Sequence, residues 1–414
     1  MDYKLVYETN GQPAGDGLRP TRISNEGQSL SVLVDIKEEK FTPLIFVPIE
    51  EAPDPVEPQP DPEPTPDPIP DPVPQPVPTP ANVQNAGELA QALSSAIGGE
   101  TFVLAPGDYG DCPSIPSGVT LQAADPANNP KFSRLNVVKR SDIALLDLHL
   151  KYTYSAGDGD ATNRFLCQDS TNIRYIGCLI EGDYSETGEG KGRGLRFWGN
   201  NQNCLIASCE IAHWWKGLGL NGTDIVCRGN DIHDIRSDGI NTGDGSNYLI
   251  EGNYIHDFAM IGGQFDHRDM IQVIGAANGI TIRDNLLDQG AGRYAQGIWS
   301  DANSKDFGVV IQNNVLIMSH TNCIAWINFD GGDWSGNRVA QWLDDQSNPR
   351  PDNNSGVVIP KINAGGDNFA FMDNVAPGII NPSTYDPSNQ IKVLDDKALR
   401  AEAQADPRWS HFFK

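Results

Sequence analysis

Short apolar segments recur through the middle of the chain, and each contains a brief phrase centred on Asn or Cys. Aligning six of these segments gives a column made of Cys178, Cys209, Asn230, Asn253, Asn285 and Asn314, which Asn337 continues. A second column, one strand further along, is made of Leu166, Leu195, Leu218, Ile240, Ile271, Ile298 and Ile324. Two columns in phase predict an all-β solenoid, a parallel β-helix whose coils bury their apolar sides only against neighbouring coils.

The Asn column gives a prediction of its own. An inward Asn at a strand bend tolerates left-handed backbone geometry, and its amide can hydrogen-bond to the Asn of the coils above and below. We therefore expect a buried ladder of asparagines along the axis, fading after Asn337. Insertions at 183–193 and 257–268 lengthen the coils on one side.

The flanking segments predict three further parts. Residues 1–50 contain two β-branched runs, Ser29–Ile36 and Pro43–Ile49, and form a small β-rich module. Residues 51–80 have proline at every second position from Pro58 to Pro80, which predicts an extended polyproline II linker.

The β-helix is predicted over residues 81–375, with a cap at each end. The apolar spacing in Asn85–Ile97 predicts a helix that covers the first strand and prevents end-to-end pairing. Residues 376–414 form a C-terminal cap segment, with a helix at Asp395–Gln404. Three aromatic residues after it are expected to cover the last coil: Trp409, Phe412 and Phe413.

Charge and cysteine content exclude several function classes. The chain has a net charge of −25 at pH 7, which disfavours nucleic-acid binding because such a surface repels a phosphate backbone. The seven cysteines include no CxxC pair and fall mostly at small apolar positions, so we expect burial rather than zinc binding. The N-terminus lacks the basic and apolar regions of a signal peptide, and no apolar run is long enough for a membrane span.

The repeats GNDIHDIRSDGINT, GNYIHDF and HRDMIQVIG resemble those of the right-handed parallel β-helix proteins. That superfamily includes polysaccharide lyases, glycoside hydrolases, mannuronan epimerases and phage tailspikes, so the resemblance implies the fold more strongly than any one activity. The phrase Phe265-Asp266-His267 is similar to the Asp-Pro-His phrase of alginate epimerases but lacks the proline, so epimerase roles are not transferred.

The order of the parts resembles a phage tail spike or tail fibre. That resemblance implies a homotrimeric virion appendage, joined to tail proteins through residues 1–50 and extracellular after host lysis. Such an appendage binds, and often cuts, a host surface polysaccharide.

Candidate catalytic residues lie two positions before the second column. Asp238 and Asp269 fall on adjacent coils, and two close carboxyl groups suit a general acid beside a base or nucleophile in a glycoside hydrolase. The insertion before Asp269 adds Asp266, His267 and Arg268. A histidine and an arginine beside carboxylates suit a lyase, in which a base removes the proton next to a uronate carboxylate that cations neutralise.

Candidate substrate-binding residues extend along the same face. Arg193 and Lys216 share the column of Asp238 and are expected to orient an anionic sugar, and the outward column beside it completes a polar groove with Arg196, Asn241, Gln272 and Trp299. Further aromatic residues near strand ends are Trp198, Trp214, Trp215 and Trp326. Equivalent pairs, His233-Asp234 and His256-Asp257, are interpreted mainly as a repeat feature bonded to neighbouring backbone.

The sequence thus predicts a tail spike that binds and depolymerises a host polysaccharide, by hydrolysis or elimination. No metal or other cofactor is required, although calcium is a candidate in the lyase interpretation. Two alternatives remain: a receptor-binding or decoration protein of the virion without catalysis, and a bacterial surface β-helix lyase or epimerase.

Overall fold

The computed structural model describes residues 81–414 apart from 186–187, 260–265, 302, 344–358, 381 and 383–384, and the backbone of four strands before residue 49. Residues 1–75 and 76–414 are two separate compact units. In the first unit, Tyr3–Glu8 pairs antiparallel with Leu44–Pro48, and Pro20–Glu26 pairs antiparallel with Ser29–Val34. The two strands predicted in this module are confirmed, and the predicted 51–80 linker lies outside the described residues.

From residue 81 the chain forms the predicted parallel β-helix. Each coil contributes to three faces. Two faces belong to one 22-stranded sheet because the strand Lys216–Arg228 runs from one to the other, and the third is an 11-stranded sheet. The first face, called the site face below, contains Leu135–Val138, Phe165–Gln168, Arg193–Trp198, Lys216–Arg228, Ile240–Ser246, Asp269–Val273, Gln296–Ser300, Asn322–Trp326, Lys361–Ala364 and Gly378–Ile380.

The other two faces complete each coil. The second contains Ala81–Val83, Thr101–Leu104, Thr120–Ala123, Ser141–Leu146, Thr171–Ile176, Asn201–Ala207, Leu249–Glu251, Ala277–Asn278, Thr281–Arg283, Asp306–Gln312, Phe329–Ser335 and Asp367–Met372. The third contains Lys131–Phe132, His149–Lys151, Leu179–Glu181, Glu210–Ala212, Asp231–His233, Tyr254–His256, Leu286–Asp288, Val315–Met318, Arg338–Gln341, Val375–Ala376 and Gln390–Ile391. The coils therefore continue past residue 375.

The predicted asparagine ladder is present and longer than expected. The Asn285 amide donates to Asn314 Oδ1 at 3.0 Å, and the chain of such bonds continues through Asn337 to Asn374 and Asn389. The left-handed backbone, however, belongs to the preceding residue, as at Asp284 (φ 55°) and Asn313 (φ 53°), and not to the ladder Asn. The turn is made one residue earlier because the ladder Asn itself must point into the core.

The N-terminal capping helix is confirmed as Ala86–Ser95, which buries Leu89 and Leu93. Its first turn is capped by the Asn85 side chain, which accepts from the Glu88 amide, while Glu88 Oε2 accepts from the amide of Gln84, the residue before the cap. Neither described α-helix has the length and apolar character of a membrane span.

The C-terminal segment differs from its prediction in position. The helix Asp396–Ala405 and the 3₁₀ turn Ser410–Phe413 are present. They pack against the outer side of the third face, where Trp409 joins Tyr254, Leu286 and Val315 in one apolar cluster. The prediction that these aromatics cover the last coil is wrong, because the apolar surface that needs covering lies on the side of the stack.

Candidate functional site

On the site face, the six coils from Arg193 to Asn322 enter their strands with two consecutive inward residues. Met270 and Ile271 are both fully buried in the core, and so are Cys323 and Ile324, two coils further along. The residues on either side of such a pair therefore share the outer surface, which explains why Gln272 Nε2 donates to Asp269 Oδ2 at 2.9 Å. At Gly194, Gly217, Gly239 and Gly297 the first inward position is glycine, because an added Cβ would meet the carbonyl oxygen of the next coil.

Strand register aligns the predicted positions on neighbouring coils, which stack about 4.8 Å apart. Before the inward pair, the outer row is Arg193, Lys216, Asp238, Asp269, Gln296 and Asn322; after it, the row is Arg196, Gly219, Asn241, Gln272, Trp299 and Ala325. One alignment was wrong by a residue: Leu166 pairs with Arg196, so Phe165 is the equivalent of Leu195.

Asp238 and Asp269 lie on adjacent coils as predicted, but both side chains are covered. Their exposed fractions are 1% and 0%. Asp238 forms an ion pair with Lys216 Nζ and accepts from Asn241 Nδ2 at 3.3 Å. Burial raises the pKa of Asp269 to about 6, against the opposing effect of its hydrogen bond with His267. Asp269 Oδ1 has no hydrogen-bond partner among the described residues.

His267 is the titratable group that reaches solvent, with 61% of its side chain exposed. Its Nδ1 donates to Asp269 Oδ2 at 2.8 Å, and its Nε2 lies 2.7 Å from the Gln296 amide nitrogen. Gln296 Oε1 accepts from Asn322 Nδ2 at 2.7 Å, so the Gln296 NH₂ group faces His267 and the ring accepts at Nε2. The hydrogen bond to Asp269 raises the pKa of His267, although burial acts in the opposite direction.

Asp266 and Arg268 take different positions from their neighbour His267. Asp266 accepts from Arg236 Nε at 2.8 Å, and Arg268 is 3% exposed with its guanidinium 5.8 Å from the Tyr294 ring. The structure therefore does not bring these two residues together with Asp238. Successive residues entering the strand point to different sides, so only His267 of the three reaches the outer row.

The N-terminal end of the predicted groove is cationic and aromatic. Arg196 lies over the Trp198 ring at 4.0 Å, while Arg193 and Lys216 lie over Trp215 at 5.2 and 5.0 Å. Trp299 lies at the other end, with its ring centre 5.6 Å from that of His267.

Two of the tryptophans near strand ends lie in the core. Trp214 and Trp326 are fully buried, and their indole N–H groups donate to the Ile180 carbonyl and to Asp306 Oδ2. The His233 and His256 rings stack at 5.2 Å on the third face, away from the groove. They bond to the carboxylates of Asp234 and Asp257, where the sequence interpretation expected backbone carbonyls.

Gln296, Asn322 and Ser237 also belong to the candidate site, although none of them is among the predicted site residues. Ser237 Oγ lies 3.1 Å from Asp238 Oδ1 and 2.8 Å from the His267 carbonyl. The signal for the first two was available as a repeated four-residue phrase, RGLR, KGLG, DGIN, DMIQ, QGIW and NCIA, whose outer positions are the first and fourth. Among the described residues, no group of three or more His, Cys, Asp or Glu side chains is placed to hold a metal ion, and the calcium hypothesis stays a prediction.

Comparison with known proteins agrees with the fold. A family model described as right handed beta helix region matches residues 165–341. This domain is a right-handed parallel β-helix. No curated protein matches the chain.

Several solved structures are similar to the right-handed β-helix. The Dettilon tailspike protein matches with a TM-score of 0.50 at 15% identity, over 74% of this chain and 62% of the tailspike chain. DFA-IIIase from Arthrobacter chlorophenolicus A6 has a TM-score of 0.45 at 11% identity, over 79% and 90% of the two chains. PfbA, a surface adhesin of Streptococcus pneumoniae, has a TM-score of 0.43 at 11% identity, over 73% and 92%. At 15% identity the similarity to the tailspike shows the fold alone.

Proposed function

We propose that the β-helix is a polysaccharide depolymerase that uses His267 as a general base on an acidic glycan. The observation that supports this most directly is the exposed imidazole of His267 held by the buried carboxylate of Asp269. Such a pair fixes the ring and stabilises the imidazolium that forms when the base takes a proton. The groove around it supplies cations on one side and an aromatic ring on the other.

In this mechanism His267 Nε2 takes the proton from the carbon next to a uronate carboxylate. The electron pair left behind forms a carbon–carbon double bond as the bond to the departing sugar oxygen breaks. That oxygen takes up a proton from water, and the His267 imidazolium returns its proton to water. Lys216 is the cationic candidate for stabilising the carboxylate, because its charge acts on both His267 and Asp269. The substrate must displace the Gln296 amide, which lies 2.7 Å from Nε2.

Hydrolysis is the second candidate, and it is favoured by the Asp269 pKa of about 6. A carboxyl group that keeps its proton near neutral pH is a suitable general acid. Against it, the Asp238 and Asp269 side chains are both covered, and an acid must reach the glycosidic oxygen. Elimination through His267 therefore fits the geometry better.

The assay that tests this proposal incubates the full chain with a panel of bacterial capsular polysaccharides and exopolysaccharides. Ultraviolet absorbance reports the unsaturated uronate that elimination makes, and a reducing-end assay reports cleavage of either kind. We expect both signals, lost in His267→Ala and kept in His411→Gln, an exposed histidine on the C-terminal segment. Reducing ends without absorbance would indicate hydrolysis, and retention of one glycan without cleavage would leave a binding protein.

We place this activity in a phage tail spike, a homotrimer attached through residues 1–50. The support is the order of parts, a small β module, a proline-rich segment and a β-helix, together with the fold shared with a tailspike. Light scattering of the full chain should give three times the monomer mass of 45.0 kDa. Antibodies against residues 1–50 should label phage tails, and labelling of the bacterial surface alone would favour a bacterial β-helix protein.

A further inference from the structure

Two arginines at the N-terminal end of the predicted groove form no salt bridge with a described carboxylate. Arg193 and Arg196 lie on the strand Arg193–Trp198, and no described carboxylate forms an ion pair with either guanidinium. Most other described arginines do have such a partner, as Arg236 has Asp266 and Arg400 has Asp288. In a chain with 55 acidic side chains against 30 basic ones, two neighbouring arginines without a salt bridge are unexpected. Their mutual repulsion is relieved when an anion binds between them.

Stacking on tryptophan holds both guanidinium groups in place. Arg196 lies 4.0 Å from the Trp198 ring centre and Arg193 lies 5.2 Å from that of Trp215. Arg193 Nε is buried and finds no hydrogen-bond partner among the described residues. A guanidinium fixed by a ring presents its donor fork to a carboxylate with little further loss of side-chain entropy.

The outer surface next to Arg196 contains a notch. Its register partner on the following coil is Gly219, which has no side chain, and the partner after that is Asn241. An added Cβ at Gly219 would make only an ordinary contact, 3.6 Å from Arg196 Cγ, so the backbone does not require glycine there for lack of space. The missing side chain leaves room for a ligand between Arg196 and Asn241.

We propose that Arg193, Arg196 and the Gly219 notch form a subsite for a sugar that bears a carboxylate, separate from the sugar that is cleaved. Counting coils from Arg193 to Asp269 gives three steps, or roughly 14 Å along the axis. That distance corresponds to a few sugar residues. The substrate class is therefore a polysaccharide with one acidic sugar at Arg193 and Arg196 and another, a few residues along, at the point of cleavage. The role in cleavage rests on the proposed function, whereas the binding does not.

Binding without cleavage tests this subsite. The full chain with His267→Ala is titrated with polygalacturonate, alginate and hyaluronate, and with neutral dextran, at low and high salt. We expect at least one acidic polymer to bind, more weakly as salt increases, and dextran not to bind. Adding Arg193→Gln and Arg196→Gln should weaken that binding about tenfold or more, as expected when charge-assisted bonds are lost.

Two further variants separate the site from general charge effects. Gly219→Phe should weaken binding to a similar degree because it fills the notch while both arginines remain. Arg174→Gln with Arg228→Gln removes the same charge from exposed positions outside the groove and should leave the affinity unchanged. Unfolding midpoints close to that of the parent would show that each variant is folded.

The proposal is overturned if no acidic polymer binds, if dextran binds equally well, or if the Arg174 and Arg228 control weakens binding as much as the groove variants. Failure of the cleavage proposal looks different. A chain that binds an acidic polymer through Arg193 and Arg196 but produces no new ends keeps the subsite and loses the depolymerase. The opposite outcome is also distinguishable. If Arg193→Gln and Arg196→Gln in a chain that keeps His267 leave cleavage and KM unchanged, the depolymerase is kept and the subsite is lost.

Discussion

At the residue scale, the site depends on which groups are covered and which are exposed. Asp269 is the side chain with the perturbed acid pKa, yet it is fully buried, and His267 above it is 61% exposed. In the proposed elimination mechanism Asp269 is therefore a positioning residue. Its charge stabilises the imidazolium, and its hydrogen bond sets which ring nitrogen faces the groove.

Asp269→Asn should lower the pKa of His267 toward its ordinary value of 6.5, because the hydrogen bond to the carboxylate is what raises it. The neutral imidazole is the base, so kcat/KM of the wild type rises with pH about a midpoint above 6.5, and the midpoint of the variant lies lower. At high pH the variant should be slower by on the order of a hundredfold. A proton titration of the His267 ring by NMR checks the shift without activity, and an unchanged ring pKa would contradict the assignment.

At the element scale, the coils are held in register by the asparagine ladder. Asn285 donates to Asn314 Oδ1 and to the Ile250 carbonyl, while its own Oδ1 accepts from both nitrogens of Asn253. Each amide is thus fully used within the stack. Removing one amide leaves buried groups of the adjacent coils without partners.

Asn285→Ala should reduce the free energy of unfolding by roughly 3 kcal/mol, since several buried polar groups lose their partners at once. Asn200→Ala, at an exposed position outside the ladder, should change it by less than about 0.5 kcal/mol. Urea denaturation followed by circular dichroism measures both. Equal effects for the two variants would mean that the ladder adds little stability.

Glycines of the site face divide into two kinds. Gly297→Ala places a Cβ against the Cys323 carbonyl oxygen and close to Leu316, and it should cost about 2 kcal/mol or more of stability. Gly219→Ala meets nothing closer than 3.6 Å and should be nearly neutral. Thermal unfolding of the pair measures the contrast. A destabilised Gly219→Ala would show that the notch is required by the fold and not left open for a ligand.

At the scale of the whole molecule, the C-terminal segment covers the side of the β-helix. Trp409 is 1% exposed, and its indole N–H donates to the Asp284 carbonyl at 2.8 Å. Arg400 forms a two-point ion pair with Asp288, at 2.6 and 2.9 Å. These contacts cover the apolar outer surface of the third face. Among the described residues, the outer rows of the site face are not covered in this way.

Trp409→Ala should destabilise the β-helix by about 3 to 5 kcal/mol, the usual range for removing a large buried aromatic side chain. Phe307→Ala provides the comparison, because Phe307 is 50% exposed and its removal should have a much smaller effect. Chemical denaturation gives both values. If Trp409→Ala unfolds only the C-terminal segment, limited proteolysis should remove that segment and leave the coils of the β-helix intact.

The sequence by itself determined the repeat and therefore the fold, because coils that bury apolar residues only against their neighbours must repeat the same columns. It also placed Asp238 and Asp269 on adjacent coils and aligned the outward positions from Arg193 to Trp299. Only the tertiary structure decided exposure. A one-residue change in direction at the start of a strand covers Arg268 and exposes His267, and linear spacing does not encode that difference. The path of the C-terminal segment was likewise decided by which surface of the finished stack remained apolar.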